Sequence, residues 1–485
     1  MPLIFPSNTL SAGGFSVANS CRFNRADSPD LQKTNASSGD RKTWTFSAWI
    51  KRSNLTGVTM NFFSGGTDGD NSNYTRIQFG TGDNIYIAHV DSSSTTTEKQ
   101  TSAAFRDPGA WYHVLWVLDT TQGSAADREK LYVNGTEITS FSTNTTPAQD
   151  YETTMNEDVE MFVGNQLGTW EFMGCYFAEV CFIGGSALTP SSFGEFDEDS
   201  PTVFRPIDVS GLTFGTNGFY LDFEDSTNLG NDANGGTDFT ATNLAAIDQC
   251  TDSPTTNFAT LNALLPTFSS TFSEGNCKWT LGTDSQSYWS NSTFGLSQGK
   301  WYMEAKLTTA ADHNYFGISV DQPDDSTTIL AGGGGGGTGG VNDQYEWGWK
   351  SSDGKIYNNE DGGTAYGNTY TTGDILGMYL DLDNNKLYFA KNGTIENSGT
   401  GISITAPAST STGVYFPCVA DGTSSNSSVW EVNFGNPTFS ISSGNSDPSG
   451  YGNFEYSPND GGSASFDSSA KDFYALNTKN LAEYG

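Results

Sequence analysis

Short segments in which apolar and polar residues alternate run along almost the whole chain, and clusters of Gly, Asn, Asp and Ser separate them. A period of two with turn-forming residues between the segments is typical of β-strands. In segment 44–51 this alternation predicts a half-buried strand. Its buried face comprises Trp44, Phe46, Ala48 and Ile50. Segment 111–118 is apolar on both faces and is predicted to be a central strand, in which His113 is an ordinary strand residue.

Two Asn-Gly dipeptides, Asn134-Gly135 and Asn392-Gly393, each follow a short apolar segment. Asn and Gly readily adopt the positive φ angles that a two-residue type I′ turn requires, so each dipeptide predicts a β-hairpin. An apolar strand ending in an acidic turn precedes each hairpin. The chain is therefore predicted to be all-β, with two antiparallel β-sandwiches in tandem.

The pattern divides the chain into four predicted regions. They are a sandwich over 1–205, a connector with one or two strands over 206–268, a sandwich over 269–440 and a C-terminal segment over 441–485. The connector has apolar alternation at 218–224, which a free linker would not need, so we expect it and the C-terminal segment to pack on neighbouring domains. Six consecutive glycines at 332–337 predict a mobile surface loop.

Composition excludes several classes of partner. The 485 residues include 22 basic and 56 acidic side chains, so the formal net charge is −34. A nucleic-acid interface needs clustered Lys and Arg, which this chain lacks, and an anionic membrane surface is disfavoured for the same reason. No stretch approaches the roughly 20 apolar residues of a membrane helix, so no membrane insertion is expected.

The termini and cysteines indicate where the chain folds. The first residues lack the basic region of a Sec signal, and prolines interrupt their apolar run, so we expect no export by that route. The six cysteines form no Cys-x-x-Cys pair and have no histidine nearby, which argues against a zinc site. They are predicted to be reduced thiols.

No catalytic residue is predicted. The chain has three histidines and none of the nucleophile-elbow, zinc-protease, phosphate-loop or dinucleotide motifs. Glycan hydrolysis needs two carboxylates about 5–10 Å apart, but nothing singles out a pair among the acidic residues. The sequence therefore favours a protein that is not an enzyme.

One short segment has the spacing of oxygen ligands at the start of a calcium loop. It contains Asp68, Asp70 and Asn73. A polar turn capped by its own Asp and Asn side chains would explain the same residues, and the distal Glu of an EF-hand is missing. No cofactor is predicted apart from this calcium ion. Asp381 and Asp383 have similar spacing, but there the structural interpretation is favoured.

Residues Tyr345, Trp347 and Trp349 alternate along one predicted strand. Their rings could stack on a sugar, although residues on one face of a strand are more often core residues, and the core interpretation is favoured. Loops at the ends of sandwiches are better candidates for ligand contact. These loops are 64–73, 91–103, 143–157, 322–343 and 359–371.

Two sets of motifs resemble known families. The first set comprises 21–25 (CRFNR), 44–53 (WTFSAWIKRS), 111–114 (WYHV), 130–138 (KLYVNGTEI) and 178–189 (AEVCFIGGSALT). Through it, residues 1–205 resemble the concanavalin A-like, laminin-G-like jelly-roll domains of bacteriophage virion proteins. The second set comprises 299–304 (GKWYME), 315–319 (YFGIS), 373–383 (GDILGMYLDLD), 387–393 (LYFAKNG), 414–417 (VYFP) and 430–435 (WEVNFG). Through it, residues 270–436 resemble a SPRY domain.

The connector and residues 474–485 resemble segments that accompany SPRY units in structural proteins of tailed bacteriophages. The resemblance implies a non-enzymatic virion protein that is assembled in the host cytoplasm and exposed on the particle exterior. A tail fibre, spike or similar appendage would contact other virion proteins and a glycan or protein of the host surface, as a homo-oligomer such as a trimer. The alternatives are a capsid- or tail-decorating protein without receptor binding and a glycan-degrading spike enzyme. Laminin-G-like domains also often bind calcium at their rim, which adds to the interpretation of the segment around Asp68.

Overall fold

A computed structural model describes residues 14–55, 57–264, 270–282, 288–311, 313–320, 345–358, 362–421, 427–459, 466 and 472–485. The described chain divides into a first unit within Leu10–Thr256 and a second unit within Asn257–Gly485. Strands dominate both units, and α1 (Thr478–Tyr484) is the one α-helix of the described residues. The predicted all-β fold class is confirmed. No helix in this described part combines the length and the apolar character needed to cross a membrane.

The first unit contains β1 (Ser20–Phe23), β2 (Asp30–Thr34), β3 (Thr43–Arg52), β4 (Met60–Gly66), β5 (Tyr74–Phe79), β6 (Ile85–Asp91), β7 (Ser94–Thr101), β8 (Trp111–Asp119), β9 (Glu129–Val133), β10 (Thr136–Glu137), β11 (Phe141–Asn144), β12 (Glu160–Val163), β13 (Cys175–Gly184), β14 (Gly194–Phe196), β15 (Phe204–Pro206), β16 (Phe219–Leu221), β17 (Thr240–Thr242) and β18 (Gln249–Cys250). They form two large antiparallel sheets and the small pair β14–β15. The back sheet has the order β10-β9-β8-β3-β13-β1-β18, with β16 also paired to β13. The front sheet has the order β11-β7-β6-β5-β4-β12-β2-β17.

The second unit contains β19 (Ser270–Ser273), β20 (Lys278–Leu281), β21 (Tyr288–Asn291), β22 (Lys300–Thr309), β23 (Asn314–Ser319), β24 (Trp347–Lys350), β25 (Lys355–Tyr357), β26 (Thr364–Ala365), β27 (Ile375–Asp381), β28 (Lys386–Lys391), β29 (Thr394–Ile395), β30 (Ile402–Ser403), β31 (Phe416–Asp421), β32 (Val429–Asn433) and β33 (Tyr474–Ala475). The nine-stranded sheet has the order β19-β20-β32-β22-β27-β28-β29, with β30 paired to β28 and β33 to β22. The six-stranded sheet has the order β21-β31-β23-β24-β25-β26.

A hydrophobic core lies between the two sheets of each unit. In the first unit Phe46 of β3 stacks on Phe63 of β4, with ring centroids 4.4 Å apart. In the second unit Phe316 of β23 packs on Phe389 of β28 at 5.6 Å. Both cores consist of alternate residues of facing strands, so period-two alternation produces the sandwich directly.

The two predicted hairpins are confirmed. Asn134 and Gly135 have φ angles of 48° and 74°, and Asn392 and Gly393 have φ angles of 47° and 76°. The first turn joins β9 to β10, and the second joins β28 to β29. All four residues have the positive φ that the type I′ turn requires.

Segment 44–51 is more buried than predicted. Trp44, Phe46, Ala48 and Ile50 lie in the core as expected, but β3 is buried on its other face too, where Trp49 is only 3% exposed. Residues after 188 form a layer over the outside of the back sheet, in which Phe193, Phe214 and Tyr220 pack on Leu115 and Ile183. This layer removes the solvent-facing side that a half-buried strand would have.

The first unit includes most of the region that the sequence predicts as a connector. Within 206–268, β16 pairs with β13, β17 with β2 and β18 with β1. The chain passes from the first compact unit to the second between Thr256 and Asn257. The sequence predicts boundaries at 205/206 and 268/269 instead. Pairing between strands far apart in sequence causes the difference.

Part of the predicted C-terminal segment 441–485 packs within the second unit. β33 runs parallel to β22, and Phe454 and Phe473 join a small core with Tyr302 and Tyr379. The whole of loop 322–343, with its glycine run 332–337, lies outside the described residues. All six cysteines are buried thiols.

Candidate functional site

The front sheet of the first unit has one face in the core and one face directed away from it. Ile77 of β5 and Ile87 of β6 belong to the core, so Arg76 and Tyr86, which alternate with them, point the other way. We call this outward surface the front face. Its residues align in rows across β5, β6 and β7: one row is Arg76, Ala88 and Glu98, and the next is Gln78, Tyr86 and Gln100.

The Arg76 guanidinium is fixed on the front face by four side chains. One nitrogen donates hydrogen bonds to Oε1 of Gln166 and, at 2.9 Å, to Oε2 of Glu171. The guanidinium carbon lies 5.1 Å from the ring centroid of Tyr74 and 5.8 Å from that of Tyr86. An arginine that is both ion-paired and stacked on aromatic rings is a rigid support. It ties the segment that carries Gln166 and Glu171 to the sheet.

This segment is a tight hairpin with a strained backbone. Gln166 and Trp170 exchange backbone hydrogen bonds of 2.8 and 3.1 Å. Leu167 and Glu171 have φ angles of 50° and 56°, although neither is glycine. Such positions cost about 1–3 kcal/mol each and concentrate at functional sites. The hairpin buries Leu167 completely and leaves Trp170 38% exposed, so an aromatic side chain is presented to solvent beside the front face.

Tyr86 and Glu98 form the main polar pair of the front face. The Tyr86 hydroxyl donates to Oε2 of Glu98 at 2.6 Å. Burial, and then the hydrogen bond to Glu98, raise the pKa of Tyr86, so its hydroxyl stays neutral. Oε1 of Glu98 forms no hydrogen bond with the residues that the structure describes. It can accept one from a ligand.

Together these groups provide a binding surface. Trp170 and Tyr86 offer aromatic rings, Glu98 offers an acceptor, and Gln100 offers a carboxamide that both donates and accepts. Apolar rings with a few fixed polar groups suit a ligand that is rich in hydroxyl or amide groups.

Two of the three predicted calcium residues accept hydrogen bonds from the backbone. Oδ1 of Asp70 accepts the backbone N–H of Ser72 at 2.9 Å, and Oδ1 of Asn73 accepts that of Ser92 at 2.9 Å. Both side chains therefore cap turns, which is the alternative that the sequence left open. The described residues contain no cluster of three or more acidic, histidine or cysteine side chains that could hold a metal ion.

Asp68 instead lies near a different carboxylate. Burial raises the pKa of Asp30, and the charge of Asp68 raises it further. Asp68 also contacts the strained hairpin, because a Cβ added to Gly168 would lie 2.4 Å from its Oδ1. Two carboxylates fall short of the six to eight oxygens that calcium takes.

The predicted aromatic site is part of the second core. Trp349 is fully buried, and its ring centroid lies 4.7 Å from that of Tyr370. Trp347 is 6% exposed, and Tyr345 is half-buried against the same core. Rings enclosed in this way have no face for a sugar. The structure corresponds to the core interpretation of the three residues.

Sequence reasoning missed the residues that form the front face. Arg76, Tyr86, Glu98 and Trp170 were not predicted as site residues. Two predicted contact loops do supply neighbours: Asn71 of 64–73 accepts a hydrogen bond from Gln166 at 2.8 Å, and 91–103 contains Glu98. The available signal was segment 74–79, in which Tyr, Arg and Gln alternate with core residues. Loop 322–343 and residues 359–361 of the last loop lie outside the described part.

Residues 26–190 match the model of the concanavalin A-like lectin/glucanase superfamily of the laminin G type, and residues 300–437 match the SPRY domain model. The chain carries a laminin-G-like domain and a SPRY domain. The first match covers the strands of the front face from β5 to β7, the hairpin with Trp170 and most of the back sheet. Both matched domain types suggest a binding function and leave the ligand open.

Ran-binding protein 9 from Danio rerio is 28% identical over 102 residues, which are 20% of this chain and 14% of that protein. The human protein of the same name is also 28% identical over 102 residues and is covered to 12%. The chain thus spans about a seventh of the length of these curated relatives. Among solved structures, the SPRY domain of human HERC1 has 15% identity and a TM-score of 0.26, over 34% of this chain and 91% of that one. Mouse laminin α1 domains LG4-5 have 12% identity and a TM-score of 0.30, over 88% of this chain and 90% of that one.

Proposed function

We propose that the protein is a non-enzymatic binding protein whose first unit recognises a surface glycan or protein through the front face. The observation that carries this proposal is the strained hairpin that holds Trp170 exposed beside Arg76, Tyr86 and Glu98. Burying an exposed tryptophan against a ligand gives a large apolar contact at low entropic cost. The fixed polar groups beside it supply orientation.

We further propose that the protein is a component of a tailed-bacteriophage particle, as a tail fibre, spike or similar appendage that contacts other virion proteins and the host surface. This part rests on the sequence resemblance of both sandwiches and of residues 474–485. A homo-oligomer such as a trimer would present several copies of the front face, which raises avidity without new contacts. A decorating protein without receptor binding is the alternative, and it predicts that the front face binds no host-surface molecule.

The front face is tested by binding of the purified full chain to intact bacteria and to a panel of purified bacterial polysaccharides and surface proteins. Trp170→Ala removes the exposed ring and is expected to weaken binding about tenfold, as for a central aromatic anchor. Phe196→Ala is the matched control, because Phe196 is also an exposed aromatic of the first unit, at 45%, and lies outside the front face. Its binding should equal that of the unmodified chain.

Three outcomes would count against the proposal. They are no binding of the unmodified chain to any member of the panel, an equal loss of affinity in the two variants, and cleavage of bound polysaccharide. Release of reducing ends during the assay would support the glycan-degrading alternative.

A further inference from the structure

The outward side of the back sheet of the first unit carries a buried lysine. Lys51 of β3 lies in one row of the sheet between Trp111 of β8 and Tyr176 of β13. The preceding residue, Ile50, lies in the core, so Lys51 points to the opposite side of the sheet. Its side chain has no exposure to solvent there.

Asp252 is a partner of this lysine. Nζ of Lys51 donates a hydrogen bond to Oδ2 of Asp252 at 2.7 Å, and the Asp252 side chain is only 1% exposed. The indole N–H of Trp111 donates to Oδ1 of the same carboxylate at 3.2 Å. The Ser20 hydroxyl donates to the backbone carbonyl of Asp252 at 2.5 Å. Both the main chain and the side chain of Asp252 are therefore held in place.

No other pair of a lysine and a carboxylate between described residues is both this short and this buried. Two further buried lysines, Lys99 and Lys33, lie 3.7 and 3.9 Å from their carboxylate partners. Lys130 and Asp127 are 3.1 Å apart, but their side chains are 31% and 51% exposed. The contact between Lys51 and Asp252 thus differs from an ordinary surface ion pair.

Aromatic side chains shield the pair from solvent. Trp49, Trp111 and Tyr176 belong to one small apolar cluster, and Nζ of Lys51 lies 5.7 Å from the ring centroid of Tyr176. Burying two charges is costly, because the loss of their hydration can exceed their mutual attraction. A reaction that joins the two groups into a neutral product removes this cost.

We propose that Lys51 and Asp252 condense to an intramolecular amide. After one proton passes from the Lys51 ammonium group to Oδ2, the neutral Nζ attacks Cγ of Asp252. The bond between Nζ and Cγ forms, the bond between Cγ and Oδ2 breaks, and Oδ2 leaves as water with two protons from Nζ. Oδ1 becomes the amide oxygen. The step needs no oxidant or other co-reactant, and the fixed contact supplies the proximity that it requires.

Two side chains beside the pair promote this step. The Trp111 N–H is directed at Oδ1, where negative charge develops when Nζ adds to Cγ, and a fixed donor there stabilises the intermediate. Asp107 is a second carboxyl near Lys51. Burial raises the pKa of Asp107, while the backbone N–H of Gly109 and the charge of Lys51 lower it. Asp107 can carry the second proton from Nζ to the leaving oxygen.

The amide closes a loop that contains most of the first unit. Lys51 and Asp252 are 201 residues apart, and the unit lies within Leu10–Thr256. A covalent link across so long a loop restricts the unfolded chain, as a disulfide of the same span does. The proposal rests neither on the front face nor on the proposed function.

Mass spectrometry of the purified full chain tests the proposal. The intact mass is expected to be lower than the sequence mass by one water molecule, and digestion should yield a branched peptide that joins residues 51 and 252. Lys51→Arg keeps a positive charge beside Asp252 but cannot form this amide, so it should retain the sequence mass. This variant should also migrate more slowly in a denaturing gel, because its unfolded chain is not closed into a loop.

Lys130→Arg is the matched control, because Lys130 forms the exposed pair with Asp127. It should lose one water molecule, as the unmodified chain does. Trp111→Phe and Asp107→Asn should form the amide on the order of a hundredfold more slowly, measured as the linked fraction at fixed times after synthesis. The full sequence mass in the unmodified chain would overturn the proposal. So would an equal loss of water in Lys51→Arg, which ring closure at an Asp-Gly dipeptide would cause.

Discussion

At the scale of single residues, buried carboxyl groups of the two units differ in how they are stabilised. Glu304 accepts hydrogen bonds from the Tyr302 hydroxyl, the Asn433 amide and the backbone N–H groups of residues 455 and 456. Among the described residues, Glu179 accepts a single hydrogen bond, from the Tyr220 hydroxyl at 2.7 Å. Glu179 also has a positive φ of 50° and lies in a β-bulge of β13. Its burial is therefore less well compensated.

This difference predicts a pH dependence for the first unit. Burial raises the pKa of Glu179 to about 8, so the folded state holds a proton that the unfolded state releases near pH 4.5. Stability should then fall by about 1.4 kcal/mol per pH unit as the pH rises through the window below pH 8. Glu179→Gln should flatten this fall, as measured by denaturant unfolding between pH 6 and 8.

Glu198→Gln, which changes an exposed carboxyl of the same unit, is the control and should leave the slope unchanged. An identical slope in Glu179→Gln and the unmodified chain would show that Glu179 titrates normally.

At the scale of elements, the strained hairpin depends on a balance between backbone conformation and packing. Leu167 has a left-handed backbone and a fully buried side chain that packs with Tyr74, Val90 and Phe162. Left-handed backbone costs a non-glycine residue about 1–2 kcal/mol, whereas a buried leucine contributes about 2–5 kcal/mol relative to alanine. Packing outweighs strain, so the hairpin is stable.

Two substitutions separate these contributions. Leu167→Ala removes the packing and keeps the strain, and Leu167→Gly removes both. Both variants should be less stable than the unmodified chain, and the alanine variant should be the less stable of the two by about 1 kcal/mol. Denaturant unfolding, monitored by hydrogen exchange at the Trp170 N–H, measures this order of stability. An alanine variant more stable than the glycine variant would contradict the claim that the backbone at Leu167 is strained.

Sequence patterns predict strands and turns well where neighbouring residues alone determine the conformation. Asn134-Gly135 fixes a turn by its own φ preferences, and the alternation in 44–51 identifies the core-facing side of β3. The same alternation cannot show what covers the other side. The layer formed by residues after 188 buries that side. In the second unit, Trp347 and Trp349 pack in the core, whereas their alternation alone is also compatible with ligand binding.

At the scale of the whole molecule, the front face joins residues that are far apart in sequence. Arg76 and Glu98 lie on strands of one region, while Gln166 and Trp170 come from a hairpin about 90 residues later. No local pattern relates them, so the site appears only when β4 to β7 and β12 pair. The net charge of −34 agrees with a binding surface that uses aromatic contacts and hydrogen bonds instead of basic clusters.

The most direct test of the front face is hydroxyl-radical footprinting of the full chain with and without the tightest-binding molecule of the panel. The account predicts that oxidation of Trp170 and Tyr86 decreases in the complex while that of Phe196 stays the same. Unchanged oxidation of Trp170 and Tyr86, or protection confined to the second unit, would contradict it.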